Sequence, residues 1–225
     1  MSDTQARDRI LGKIRASLEA KPGDGRDALV SSRIAARARH LTPARALQSP
    51  AELRALFTSH LTKGHATVVD VPTLAGLPAA IATYLRDHNR PALIRMGADA
   101  RLAALPWHTA PGLAQLNGRA APEDEVSLSY AVAAAAETGT LILASGPDNP
   151  VTLNYLPETH LVVLAAATLK GAYEDAFDIV RAKLGIGVMP RTLNLISGPS
   201  RTSDIGGKTV MGAHGPRHLA VFVVG

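Results

Sequence analysis

A change of rhythm at residue 66 constrains the fold of this chain more than any other feature. From there on, short apolar runs alternate with stretches of helical spacing. Residues 66–71, 92–95, 113–116, 127–129, 141–144, 161–165, 193–196 and 219–224 read as strands. Leu161-Val162-Val163-Leu164 shows no polar alternation, which suits a strand covered on both faces. Residues 73–88 place Leu74, Leu77, Ile81 and Leu85 on one stripe, and 172–184 space Ala172, Ala176, Ile179, Val180 and Lys183 by three or four. Both read as helices, and so do the Ala-rich residues 130–137. Strands separated by helices of roughly 10–15 residues imply βαβ units. The expected class is α/β, a mostly parallel sheet flanked by helices. Aromatics are 4% of residues, so Ala, Val and Leu must fill its core.

The first 62 residues read differently. Ile10, Leu11, Ile14 and Leu18 share one face of a helix over 3–20, which stops at Lys21-Pro22-Gly23. Residues 22–46 read as a loose connector with helical turns around Ile34. Ser49-Pro50-Ala51-Glu52 opens another helix that runs to about Thr62: Ser49 caps, Pro50 takes the first helical position, and Glu52 completes a capping box. The expected division is a basic helical extension at 1–62 and an α/β domain at 63–225. The net charge of +5 belongs to the extension. Residues 1–60 carry eleven Lys/Arg and six Asp/Glu (11 − 6 = +5), and the remaining thirteen of each cancel. Arg26, Arg33, Arg37, Arg39 and Arg45 lie in a Gly/Pro/Ala-rich stretch without aromatics. That favours a solvated or subunit-contacting arm, with a homo-oligomer as one outcome, over nucleic-acid binding.

The chain has no cysteine, which rules out disulfides, thiolate chemistry and an iron–sulfur cluster ligated by this chain alone. No cofactor is therefore expected in it. The polar N-terminus and the lack of a run of ~18 apolar residues lead to the expectation of a cytoplasmic protein without a membrane span.

Three clusters carry the candidate chemistry. Ser197 to Gly207 follows the run at 193–196, and ligands in open α/β sheets bind beyond the carboxyl ends of strands. Gly198 permits an unusual turn and Pro199 stiffens it. Ser200, Thr202 and Ser203 offer hydroxyls. Arg201 offers a planar fork for a carboxylate or phosphate, and Asp204 is placed to orient it or a substrate hydroxyl. The second cluster is Gly212-Ala213-His214-Gly215-Pro216, where a histidine able to move a proton sits between glycines, Gly215 among them, that admit a ligand. The third is Ala136-Glu137-Thr138-Gly139-Thr140. Gly139 suits a left-handed helix end. Glu137 at a helix C-terminus would oppose the helix dipole, which suggests a functional reason or pairing with an Arg. The expected site has Glu137 and His214 as catalytic groups. Thr138, Gly139, Gly198, Ser200, Arg201, Thr202, Asp204 and Gly215 would bind substrate. Glu137, Arg201 and His214 would share one mouth. The turn Gly146-Pro147-Asp148-Asn149-Pro150 is a further candidate for that mouth, whereas His160 reads as structural. No histidine set has metal-ligand spacing, and there is no Walker A loop, GxGxxG or GxSxG pattern.

These clusters, in this order, resemble the LUD family, a domain family linked to lactate utilization, and its protein C type in particular. Ala136-Glu137-Thr138-Gly139-Thr140-Leu141, Leu156-Pro157-Glu158-Thr159-His160 with Val162-Val163, Gly198-Pro199-Ser200-Arg201-Thr202-Ser203-Asp204-Ile205 and Gly212-Ala213-His214-Gly215-Pro216 carry the likeness. Gly206 departs from it, since the family commonly has Glu there. The resemblance implies a fold like the sugar-isomerase, CoA-transferase and formyltetrahydrofolate cyclo-ligase superfamily. It also implies a place beside two sister proteins that carry iron–sulfur clusters, the set together oxidising L-lactate to pyruvate. In that setting Arg201 would pair with the substrate carboxylate and His214 would take the hydroxyl proton. The alternatives are an independent enzyme of that superfamily, with Glu137 in a segment reminiscent of the CoA-transferase nucleophile, and a scaffold that acts through the N-terminal arm.

Overall fold

The computed structural model describes residues 3–19, 25–39, 41–185, 187–203 and 206–225. The stop at Lys21-Pro22-Gly23 and the candidate Asp204 lie outside them. The chain divides into two compact units, residues 1–41 and 42–225. The first contains α1 (Asp3–Glu19) and α2 (Arg26–Ala36). The expected turns around Ile34 are thus part of a helix of 11 residues. Asp27 in its first turn and Arg33 in its last both complement the helix dipole.

The second unit opens with α3 (Pro50–Lys63), which starts as its sequence dictates. Glu52 N–H donates to Ser49 Oγ, Ser49 N–H donates to the Glu52 carboxylate at 2.9 Å, and Pro50 sits in the first turn. Then follow β1 (Thr67–Val71), α4 (Leu77–Asp87), β2 (Leu93–Met96), α5 (Ala100–Ala103), β3 (Ala114–Asn117), β4 (Val126–Tyr130), β5 (Ala133–Ala135) and β6 (Thr140–Ala144). The chain continues through β7 (Thr159–Ala165), β8 (Leu169–Lys170), α6 (Tyr173–Leu184), β9 (Leu193–Ile196), β10 (Arg201–Thr202), β11 (Val210–Met211) and β12 (His218–Val224). Six strands form one sheet in the order β1-β12-β7-β4-β2-β3, every pair parallel. The class is α/β, with a mostly parallel sheet flanked by helices.

One face of this sheet packs Leu128, Leu161 and Phe222 against Leu77, Ile81 and Leu85 of α4. The other packs Val162, Leu164, Val221 and Val223 against Phe57 and Leu61 of α3 and Leu141 and Leu143 of β6. Both faces being covered explains the apolar runs in β7 and β12. β4 departs from that pattern. Val126, Leu128 and Tyr130 join the α4 side, while Ser127 and Ser129 are buried on the opposite face beside His160 of β7.

Two sequence expectations are corrected. Residues 130–137 are not helical: they contain β5, followed by a single 3-10 turn at Ala136–Thr138. Alanine's helix preference is worth only tenths of a kcal/mol per residue over ordinary residues, and tertiary context overrides it. Every residue from 130 to 136 is buried. Ala134 packs with α3 and β7, while Ala133 and Ala135 face Ala176 and Val180 of α6. Only small side chains let one strand sit that close to layers on both sides. Second, the runs at 141–144 and 193–196 are not in the parallel sheet. They form a second sheet, β8-β5-β6-β9, in which β5–β6 and β6–β9 are antiparallel. The short link between β5 and β6, closed at Gly139 (φ 67°), leaves no room for the crossover that parallel pairing needs. No helix among the described residues is long and apolar enough to cross a membrane.

Candidate functional site

The chain leaves β9 through Ser197 and turns at Gly198 (φ 146°), where a Cβ would crowd the Gly64 carbonyl oxygen at 3.2 Å. Ser200 then ties the second cluster to the first. Its N–H donates to Pro216 O (2.8 Å), its carbonyl accepts from Gly212 N–H (2.9 Å), and its hydroxyl oxygen accepts from His214 N–H (3.2 Å). The β10–β11 ribbon, with Arg201 opposite Met211, closes the loop between them. The two clusters thus fold back together, as their spacing suggests.

They enclose a cavity of about 260 Å³. Gly198, Ser200, Arg201, His214, Gly215 and Pro216 line one side; Asn154, Tyr155 and His160 line another; Leu195, Ile196 and Leu219 also contribute. Its location differs from the one expected. β9 belongs to the smaller, mixed sheet, so its outgoing loop arrives over His160 and Leu219, the second residues of β7 and β12. The cavity therefore lies over the amino-terminal ends of the central parallel strands, between the two sheets. The carboxyl end of β2 is closed instead: Ala98 N–H donates to Pro147 O (3.0 Å), and a Cβ on Gly97 would lie 2.2 Å from Asp148 O. The turn at 146–150 packs there. With Arg119 and Arg191 it borders a separate cavity of about 760 Å³, not the mouth beside Arg201.

The walls of the smaller cavity differ in polarity. Arg201 and His214 are exposed on the rim, where Arg201 supplies a fixed positive charge, and no carboxylate of the described residues pairs with Arg201. The floor is buried and neutral. His160 is fully buried, with Nε2 3.0 Å from Ser129 Oγ, and that hydroxyl donates to Asn154 Oδ1 at 3.4 Å. Burial pushes the His160 pKa down to about 3, so its ring is uncharged at neutral pH. Tyr155 OH donates to Asn194 Oδ1 at 2.9 Å behind the same wall. Sequence reasoning missed Asn154 and Tyr155, which sit in no chemical motif. It set His160 aside as structural, although a polar residue at the head of an apolar strand within the Leu156–His160 motif was a usable cue.

Glu137, Thr138 and Gly139 do not line this cavity. The Glu137 carboxylate is buried, accepts Tyr173 N–H at 3.0 Å and lies 3.6 Å from the Arg45 guanidinium. The sequence placed Glu137 unfavourably at a helix C-terminus. In the structure its carboxylate meets the N-terminus of α6, where negative charge is favourable. The expected common mouth thus gathers Arg201 and His214, with the Glu137 carboxylate directed to α6. Thr138 reaches the cavity only through hydroxyls: its Oγ1 lies 2.8 Å from Tyr173 OH, Tyr173 OH 2.7 Å from Thr140 Oγ1, and Thr140 Oγ1 2.6 Å from Ser197 Oγ. Thr202 is buried on β10 and faces Val210 across the ribbon, outside the lining. Among the described residues, no group of three or more His, Asp or Glu side chains is arranged to hold a metal ion.

The Glu137 geometry has a measurable consequence. Glu137→Ala leaves the Tyr173 N–H without its acceptor, and the domain should lose about 1–3 kcal/mol in urea unfolding at neutral pH. Glu137→Gln keeps an acceptor oxygen and should lose less. Equal losses from both variants would mean that the charge facing Arg45 outweighs the cap.

Residues 48–224 match the family model described as the LUD domain. The chain belongs to the LUD domain family. Lactate utilization protein C of Geobacillus kaustophilus is 30% identical over 115 residues, covering 51% of this chain and 48% of that protein. Lactate utilization protein C of Bacillus subtilis is 29% identical over 119 residues, covering 52% and 50%. An uncharacterized protein of Neisseria meningitidis serogroup B is 36% identical over 100 residues, covering 44% and 42%. This LUD chain thus aligns with about half the length of these curated relatives. Its fold is shared with the crystal structure of a DUF162 family protein from Deinococcus radiodurans, at a TM-score of 0.60 and 24% identity, covering 79% of this chain and 99% of that one.

Proposed function

We propose that this LUD chain serves lactate utilization by binding a small carboxylate in the cavity between its two sheets. The observation that carries this reading is the cavity itself: the Arg201 guanidinium, with His214 also on the rim, over a small, otherwise neutral enclosure. Two aligned relatives are named for lactate utilization, which makes L-lactate the carboxylate proposed here. Arg201 would hold the carboxylate through two parallel N–H donors. His214, whose backbone is anchored to Ser200 Oγ, would take the hydroxyl proton as lactate is oxidised. The two electrons of that oxidation, with the Cα hydrogen, would leave to an acceptor on iron–sulfur sister proteins of the same system. The rival reading, an independent enzyme with Glu137 as nucleophile, has less support, because that carboxylate is engaged by Tyr173 and Arg45 away from the cavity.

The test is Arg201. A lysine keeps the charge but loses the fork, so Arg201→Lys should weaken L-lactate binding nearly as much as Arg201→Ala. Each should lose about 1.5–3 kcal/mol by titration calorimetry, the usual worth of a hydrogen bond to a charged group. Unchanged affinity with a lowered melting temperature would make Arg201 a structural residue.

A further inference from the structure

The cavity floor contains two polar side chains whose hydrogen-bonding capacity is incompletely used. His160 is fully buried and Asn154 is 1% exposed. Among the described residues, His160 Nδ1 and Asn154 Nδ2 have no hydrogen-bond partner. Both residues line the cavity. Buried polar groups are normally satisfied, and a group left unpaired in the interior costs on the order of a full desolvation penalty. Two such atoms, on side chains that both border one cavity, therefore point to a ligand that completes them.

The hydrogen-bond chain sets what that ligand must offer. Ser129 has a single hydroxyl proton, and it donates to Asn154 Oδ1. His160 Nε2 must then donate to Ser129 Oγ. A neutral imidazole has one N–H, so Nδ1 is left with a lone pair. Asn154 Nδ2 is an N–H donor. The floor thus presents one acceptor and one donor. A hydroxyl group satisfies both, since its proton goes to Nδ1 and its oxygen accepts from Nδ2. A ketone oxygen can only accept, and its lone pairs would face that of Nδ1. An alkyl group satisfies neither.

We infer that His160 and Asn154 are specificity-determining residues that read a hydroxyl group on a small carboxylate held at Arg201, preferring the hydroxy acid to the oxo acid formed from it. This rests on the carboxylate reading of the cavity and adds the second point of recognition. His160 holds the bound hydroxyl only as an acceptor; for oxidation the hydroxyl would turn its one proton from Nδ1 to His214. Burial keeps His160 neutral, consistent with a positioning role.

The test is calorimetry on the whole chain with L-lactate, pyruvate and propionate, which differ only in the group at carbon two. The unaltered protein should bind L-lactate at least about 10-fold more tightly than propionate or pyruvate, a modest expectation for a site with buried polar groups to satisfy. Asn154→Leu should abolish most of that preference while changing propionate affinity less than about 2-fold. A second measurement needs no variant: in histidine-15N-labelled protein, L-lactate should shift the His160 Nδ1 resonance and propionate should not. If none of the three acids binds, the carboxylate reading fails and this inference with it. If all three bind with equal affinity, or Asn154→Leu keeps the full preference, or the Nδ1 resonance stays unmoved by lactate, the carboxylate reading stands and the hydroxyl-reading role of His160 and Asn154 is overturned.

Discussion

As pH falls from about 6.5 to about 4, His160 alone should cost this LUD domain stability at up to ~1.4 kcal/mol per pH unit. The folded protein holds the imidazole pKa at about 3 through burial, whereas the unfolded chain binds a proton at the ordinary histidine value of ~6.5. Between those values the unfolded state carries one more proton. Stability from this residue is full above ~6.5, declines as pH drops, and levels off below about 3. The loss at pH 4 is on the order of 3 kcal/mol, a large part of a typical domain's stability. Carboxylates overlap only the acid end of this window, below about pH 5, and they are the same in the variant and the unaltered chain. Burial pushes Asp99 and Asp124 up, but their arginine partners Arg101 and Arg95 outweigh it and hold both below the ordinary carboxylate range. The stability they contribute is full above that range and is lost as pH falls through it toward their lowered values, so it cancels in the comparison with a His160 variant. His218, lowered by partial burial, shifts in the same direction as His160, but it is present in any His160 variant. Urea unfolding at pH 7, 6, 5 and 4.5 on the unaltered chain and on His160→Gln should therefore show a shallower pH slope in the variant. Parallel slopes would mean that His160 takes up its proton in the folded state.

Gly139→Ala should destabilise the domain by about 3 kcal/mol or more. Two costs combine. Gly139 sits at φ 67°, where a residue with a Cβ loses roughly 1–2 kcal/mol. The new Cβ would also lie 2.5 Å from the His60 Cβ, so α3 would have to move. α3 cannot move freely, since Phe57 and Leu61 are fully buried beneath it. Gly112 provides the control: its φ is 92° but a Cβ there meets nothing within 4 Å. Gly112→Ala should show the backbone cost alone, about 1–2 kcal/mol. The difference between the two denaturation midpoints measures the contact with α3. Similar losses would show that α3 yields at little cost. The displacement should also reach the cavity, because Thr138 and Thr140 flank Gly139 and Thr140 is bonded to Ser197 in the lining.

Local sequence determined those parts of the molecule whose stabilising contacts are close along the chain. Ser49, Pro50 and Glu52 satisfy one another within a single turn, so the start of α3 was legible. Residues 161–165 of β7 and 219–224 of β12 are apolar at every position, so burial on both faces was legible as well. The 198–201 and 212–216 clusters are joined by a short ribbon, so their meeting followed from spacing.

Tertiary structure decided everything that depends on what lies across a gap of many residues. Ala133 to Ala135 form a strand because α6 and α3 cover opposite sides of them, which helix propensity does not register. β9 runs in the second sheet because β6 pairs with it antiparallel, and that pairing carries Arg201 to the amino ends of β7 and β12. Glu137 faces the start of α6, 36 residues away. His160 and Asn154 form a floor only because Ser129 on the neighbouring strand lies between them. A side chain's chemistry is written in its type, but whether it is paired, buried or open to a ligand depends on neighbours that only the folded chain brings within bonding distance.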